Sequence, residues 1–292
     1  MQLSLSISKC AILNLGCRKN IAPFTYSINN IDLVNVSSMR DLGVIMSNDL
    51  KWASHCASIA KKASIRMNCL FRSFESKSTS FLLQLYKTFV RPKLEYASPV
   101  WSPYRLKDIR LIESVQRQFT NRLPELAKLK LSYPNRLSHL KLERLDLRRL
   151  KADLALVHKL LYHYCDVSPI EIQRLLPYHP QSAISCVGPS LRDTSMKNYG
   201  RETAAKTMRL LERHYKSDTR KYSFSIRSAH LWNSLDAEIR STGNHQLFKR
   251  YLDNSVKDQK PVYFDQFLTE LPISKKCQKP SSPPINGTIP NS

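Results

Sequence analysis

Leu3, Leu5 and Ile7 alternate with polar residues in "MQLSLSISK", a period of two that predicts a strand. A second alternation follows in "FTYSINNIDLVNV", where Phe24, Tyr26 and Ile28 are separated from Ile31 and Leu33 by Asn29-Asn30. Asparagine tolerates positive φ, so this pair predicts a tight hairpin turn. "DLGVIMS" reads as one more short strand.

From about Asn48 the period changes to three and four. Cys56, Ile59, Ala63, Met67, Leu70 and Phe74 form one helical stripe, with Asn48 or Asp49 as the expected cap. Phe81, Leu82, Leu85, Tyr86 and Phe89 predict a second helix that bends or stops at Arg91, the residue before Pro92. Ile109, Ile112, Gln116, Phe119 and Leu123 mark a third, with Arg110, Arg117 and Asn121 on another face. Leu147, Leu150, Leu154, Val157, Leu161 and Tyr164 are spaced as in a two-helix seam, too short for a free coiled coil. In "SPIEIQRLL", Ser168, Pro169 and Glu171 predict a helix opened by a capping box.

Residues 177–201 are rich in Pro, Ser and Gly and read as a loop. "ETAAKTMRLLERHY" is a candidate helix, "KYSFSI" a candidate strand, and "SAHLWNSLDAEIR" and "NHQLFKRYLDN" return to helix. Five prolines fall among the last 21 residues, whose composition predicts disorder. The expected fold is mainly α. It comprises a small β-rich segment at 1–46, a helical region at 47–125, a second helical region at 126–265 and a disordered tail at 266–292.

Composition adds one strong signal. Of 292 residues, 46 are Lys or Arg and 23 are Asp or Glu, a net charge of +23 that favours a polyanionic partner. Six glycines argue against a β-rich fold and against Gly-rich nucleotide-binding loops. No stretch of apolar residues reaches transmembrane length, and the N-terminus lacks the pattern of a signal peptide. Seven scattered cysteines fit reduced thiols. The expected setting is intracellular, cytoplasmic or nuclear, without a membrane partner.

Signatures of chemistry are largely missing from the sequence. There is no Cys-x-x-Cys or His-x-x-x-His, and His55-Cys56 and His163-Tyr164-Cys165 lack a second half. The motifs of serine nucleophiles, P-loops and dinucleotide folds are missing, as is any Asp-Asp pair of the kind that two-metal nucleotidyl transfer uses. No enzyme activity, cofactor or metal is expected of this chain. The positive finding lies between Lys51 and Arg122, where fourteen Lys or Arg stand against four acidic residues. Lys61, Lys62, Arg66, Arg72, Arg91, Lys93, Arg110 and Arg117 are the candidate phosphate contacts, independent of nucleic-acid sequence. The competing assignment is an ordinary solvated basic face. For Trp101, set between Pro99 and Pro103, a core role is preferred over base stacking.

Several blocks carry a resemblance. "QLSLSISKCAILNLG", "DLGVIMSNDLKWASH", "LYKTFVRPKLEYASPVWSPY" with "IRLIESVQRQFT", "RLDLRRLKADLALVHKLL" and "FSIRSAHLWNSL" with "FKRYLD" occur in this order. Together they resemble the C-terminal part of non-LTR (LINE-type) retrotransposon reverse transcriptases, over roughly Gln2 to Asn254. The resemblance implies that 1–46 is the end of a polymerase palm, 47–125 a thumb that grips template and primer, and 126–265 a C-terminal helical region. It places the family's catalytic aspartates upstream of Lys9-Cys10, before this chain begins. Arg91 and Lys93 would then face nucleic acid while Tyr96 and Trp101 hold the bend between helices. The chain departs from the family at Leu235-Asp236, where Leu-Pro is common, and "ETAAKTMRLLERHY" has no counterpart.

The expected function is thus that of a truncated reverse-transcriptase-like protein. It would bind RNA or an RNA–DNA duplex without sequence preference, with the remaining retroelement polypeptide as a further possible partner. The alternatives are a retroelement-derived helical protein-interaction module and a decayed reading frame.

Overall fold

The computed structural model describes residues 6–16, 25–177 and 209–257. Most of the expected loop at 177–201, the first half of "ETAAKTMRLLERHY" and the expected tail at 266–292 lie outside the described residues. Among the described residues the architecture is mainly α, with three small two-stranded sheets at the N-terminal end.

The strands follow sequence pattern only in part. Ile7–Lys9 is a 3₁₀ turn rather than a strand, because the Lys9 and Cys10 amides turn back to Ser6 O and Ile7 O. β1 (Ala11–Ile12) runs parallel to β4 (Val34–Asn35). β2 (Ser27–Ile28) and β3 (Ile31–Asp32) form the expected hairpin, with φ of 51° at Asn29 and 61° at Asn30. β5 (Ser38–Asp41) and β6 (Val44–Ser47) are joined by Leu42-Gly43, also both at positive φ. These primed turns match the twist of the strands that they join.

α1 (Ala53–Ser73) begins later than its expected caps. Leu50 takes a φ of 53°, and the Asp49 carboxylate accepts from Lys51 N at 3.0 Å, so Asp49 closes a local turn ahead of the helix. Cys56, Ala60, Ala63 and Met67 bury one side of α1.

α2 (Thr79–Leu85) does not stop before Pro92. It passes through a π turn at Tyr86–Val90 into α3 (Arg91–Glu95), with Arg91 N bonded to Tyr86 O. A proline inside a regular helix collides with the carbonyl four residues earlier. The extra residue in the π turn shifts that carbonyl aside, so Arg91 keeps helical angles of −57° and −41°. The chain turns one residue after Tyr96, at Ala97 with φ 53°, and α4 (Ser98–Trp101) follows. Trp101 is fully buried and its Nε1 donates to Tyr96 O at 2.7 Å, fixing that turn.

α5 (Leu106–Asn121) packs along α1, and α6 (Pro124–Lys128) and α7 (Tyr133–Leu140) fold back against α5. Between them lies a buried polar chain. Tyr86 Oη donates to Gln116 at 2.9 Å, Gln116 Nε2 donates to Tyr133 Oη at 3.2 Å and to Glu143 O at 2.9 Å, and Tyr133 donates to Glu113. Glu113 also accepts from Leu145 N at 3.0 Å. Each of these bonds spares its groups the cost of burial without a partner.

α8 (Leu145–Leu161) is the long seam that the sequence predicts, with Leu150, Leu154, Val157 and Leu161 buried. Tyr164 lies past its end and is 54% exposed. α9 (Pro169–Leu175) opens on Ser168, whose Oγ accepts from Glu171 N at 3.3 Å and donates to the Glu171 carboxylate at 3.1 Å.

The segment from Arg209 to Tyr215 is extended rather than helical. The Asn233 side chain takes Leu210 N and donates to Leu210 O, both at 2.9 Å, pinning it like a strand neighbour. "KYSFSI" in turn is not a strand. α10 (Asp218–Lys221) is followed by α11 (Phe224–Ser234), in which Arg227, Ser228, Leu231 and Trp232 find buried sites at helical spacing. α12 (Ala237–Ser241) and α13 (His245–Lys257) complete the described chain.

Two hydrophobic cores result among the described residues. One gathers β6 and α1 to α7, ending at Leu145, and the other runs from Leu150 through α11 to Leu252 of α13. α8 belongs to both. Tyr104 stacked on Tyr222 at 4.4 Å ties them further.

Candidate nucleic-acid interface

The solvent side of α1 follows from what its other side buries. With 3.6 residues per turn, Lys61, Lys62, Ile65, Arg66, Cys69 and Arg72 fall within an arc of about 140° opposite Cys56, Ala60, Ala63 and Met67. All six are exposed. The sequence holds no acidic residue between Asp49 and Glu75. Lys61, Lys62, Arg66 and Arg72 accordingly have no ion-pair partner among the described residues. Ile65, 53% exposed, stands in the middle of these four cations. The surface offers uncompensated charge around an apolar spot.

His55 anchors the start of this helix. Its Nδ1 accepts from Ile45 N at 3.1 Å, and its ring packs 4.9 Å from that of Trp101. Burial, then the charges of Lys62 and Arg40, hold its pKa down at about 4. The imidazole is therefore neutral at pH 7 and joins β6 to α1 without adding charge.

Arg122 extends the surface, and the sequence pattern had not singled it out. It donates to Asn68 Oδ1 at 2.6 Å and lies 4.1 Å above the Phe71 ring, bridging the end of α5 to α1. Asn68 lies 54 residues away and Phe71 is similarly distant, so no local spacing announces them.

The other candidates are not gathered on the same face. Arg110 and Arg117 are exposed, but Arg117 sits 4.8 Å over the Tyr133 ring, on the α7 flank of α5 rather than beside α1. Arg136 approaches the same ring and donates to Leu131 O at 2.8 Å.

Lys93 is exposed, whereas the Arg91 side chain is only 20% exposed and lies 3.9 Å from Glu95. Arg148 takes the same Glu95 carboxylate, with Nη2 at 3.1 Å, and approaches Glu143 at 3.5 Å. Burial first, then the neighbouring Arg148 charge, pulls the Arg91 pKa below its ordinary value. Arg91 is thus turned into an ion-pair cluster, which the Pro92 context could not reveal. Tyr96 is 60% exposed and its hydroxyl donates to Leu42 O at 3.1 Å.

Among the described residues, no three His, Cys, Asp or Glu side chains converge as metal ligands, and no helix is long and apolar enough to cross a membrane.

No family model matches the chain, and no solved structure matches it. It is similar to an uncharacterized protein of Caenorhabditis elegans, 24% identical over 145 residues, which covers 48% of this chain and 73% of that protein.

Proposed function

We propose that this chain is a reverse-transcriptase-like polypeptide of the non-LTR type that grips nucleic acid through α1. In this reading the strands are the end of a palm, α1 to α5 the thumb, and the helices of 126–265, α7 to α13, the C-terminal part. One observation carries the binding role: Lys61, Lys62, Arg66 and Arg72 share one exposed face without a carboxylate partner among the described residues. Cations on a helix face gain by displacing the counterions of phosphates, and this gain does not depend on base sequence. Arg122, held by Asn68 and Phe71, adds a further cation at their edge. The ligand is RNA or an RNA–DNA duplex, and the remaining retroelement polypeptide is a further partner.

The chain's own sequence has no paired aspartates, so the role is binding without polymerisation. The test is fluorescence anisotropy with a labelled RNA–DNA duplex, alongside primer extension with magnesium and nucleotides. Duplex binding that weakens with salt, with no extension product, is expected. Template-dependent extension by the purified chain would overturn the assignment, as would an absence of binding at low salt.

A second reading rests on a separate observation. Phe89, Tyr96 and Val100 are 47%, 60% and 57% exposed, and a protein partner that covered them would remove apolar surface from water. It takes precedence if the duplex does not bind.

A further inference from the structure

The groove between α8 and α13 has a volume of about 390 Å³ and is walled by Pro99, Ala152, Ala155, Leu156 and Leu252 together with charged residues. Its two ends differ. At one, Glu143 and Asp253 are taken up by Lys151, whose Nζ lies 2.9 Å from Asp253, and Glu143 also faces Arg148 at 3.5 Å. At the other, Lys159 and Lys249 have no carboxylate partner among the described residues, and His245 stands with them.

The hydrogen bonds around His245 fix its proton. Thr242 O accepts only, so His158 Nε2, 2.7 Å away, carries a hydrogen. Burial holds the His158 pKa at about 4, so the ring is neutral and its Nδ1 is bare. His245 Nδ1 lies 3.2 Å from that nitrogen and must therefore donate to it. Burial, then Lys249 and Lys159, lowers the His245 pKa as well, which leaves its Nε2 with an unused lone pair. That atom is buried and has no partner, and the residue is only 7% exposed. A buried acceptor left empty carries a free-energy cost, which a ligand donor would remove.

We propose that this groove binds hydrogen phosphate, an anion that still carries a hydroxyl at neutral pH. Lys159 and Lys249 supply the positive charge, and His245 Nε2 accepts the O–H. Because Nε2 is covered, a side chain of the wall must swing aside, and the long unpaired lysines are the flexible ones there. A phosphodiester, a sulfate and a phosphomonoester dianion have no such proton at pH 7.5, so the groove discriminates against all three. This also separates it from the diester-binding face proposed for α1.

The test is calorimetric titration of the full chain at pH 7.5 with inorganic phosphate and with sulfate, followed by ring-nitrogen NMR of His245. Phosphate should saturate one site and bind about tenfold more tightly than sulfate, the size of one hydrogen bond's contribution. The His245 signal should move with phosphate. Lys159→Gln/Lys249→Gln, a change at side chains outside the core, should weaken phosphate by about tenfold or more. His245→Phe, checked for helical signal, should abolish the preference for phosphate over sulfate. A dinucleotide with a 5′-phosphate, a dianion without a P–OH at this pH, should bind no better than its 5′-hydroxyl twin, and tighter binding of the phosphorylated one than of inorganic phosphate would overturn the role given to the proton. Absence of a saturable phosphate site, equal affinity for sulfate, or an unaffected lysine double variant would each overturn the proposal.

Discussion

Asp153 and Arg227, 74 residues apart in sequence, form a buried two-pronged ion pair, with Nε to Oδ2 at 2.8 Å and Nη2 to Oδ1 at 3.1 Å. The same guanidinium donates to Tyr222 O at 2.8 Å and to Pro99 O at 2.6 Å. It thereby fastens α4, α8 and α11 where the two cores meet. Burial pushes the Asp153 carboxyl up, and Arg227 is the main force opposing it.

Removing one member of such a pair leaves a buried charge without compensation. Arg227→Ala should therefore lower stability by about 3–5 kcal/mol in denaturant titration. Asp153→Leu combined with Arg227→Met should restore part of that loss, since neither charge then remains. A single variant as stable as the parent would show that the pair does not close in solution.

Acid should weaken the fold through two histidines. His55 and His158 are held neutral at about 4 by burial, against an ordinary value of 6.5. Between those limits the unfolded chain binds more protons than the folded one, so stability rises with pH across that window and is lost as pH falls through it. Each shift corresponds to at most about 3 kcal/mol. Melting temperatures from pH 7.5 down to 4.5 should fall, and His158→Phe should fall less steeply over the same range. Parallel slopes for parent and variant would exclude His158 as a contributor.

Thiol chemistry should separate two cysteines on one helix. Cys56 is fully buried and its pKa is pushed up to about 12, by burial first and then by the Asp108 charge. Cys69 is exposed on the α1 face. Iodoacetamide at pH 8, followed by peptide mass spectrometry, should label Cys69 at least about a hundredfold faster than Cys56, because the thiolate is the nucleophile. Comparable rates would mean that α1 does not dock its inner face.

What the sequence made legible was local. The seam Leu150, Leu154, Val157 and Leu161, the Ser168–Glu171 capping box and the Asn29-Asn30 hairpin each follow from spacing within a few residues. The misreadings share a physical cause. Pro92 predicts a helix that bends or stops at Arg91, where a π turn carries it through; Asn48 or Asp49 is the expected cap of a helix that begins only at Ala53; and Tyr222, Phe224 and Ile226 alternate as in a strand where α10 and α11 form. In each case a longer-range contact or backbone adjustment outweighed the local preference. The candidate site divides in the same way. The α1 cations followed from helical period, whereas the capture of Arg91 beside Glu95 and Arg148 depends on residues distant in sequence.

The central claim is that α1 grips phosphates, and the salt dependence of binding tests it most directly. Lys61, Lys62, Arg66 and Arg72 would be changed together to glutamine, which keeps helix propensity. Affinity for a nucleic-acid duplex would be followed across a salt series. Each lost phosphate contact lowers the log–log slope by about 0.9 on a B-form duplex, so four contacts should flatten it by roughly three to four. Affinity at low salt should fall alongside, with the far-UV spectrum still helical. An unchanged slope and affinity in a folded variant would contradict the account and leave α1 as an ordinary solvated face.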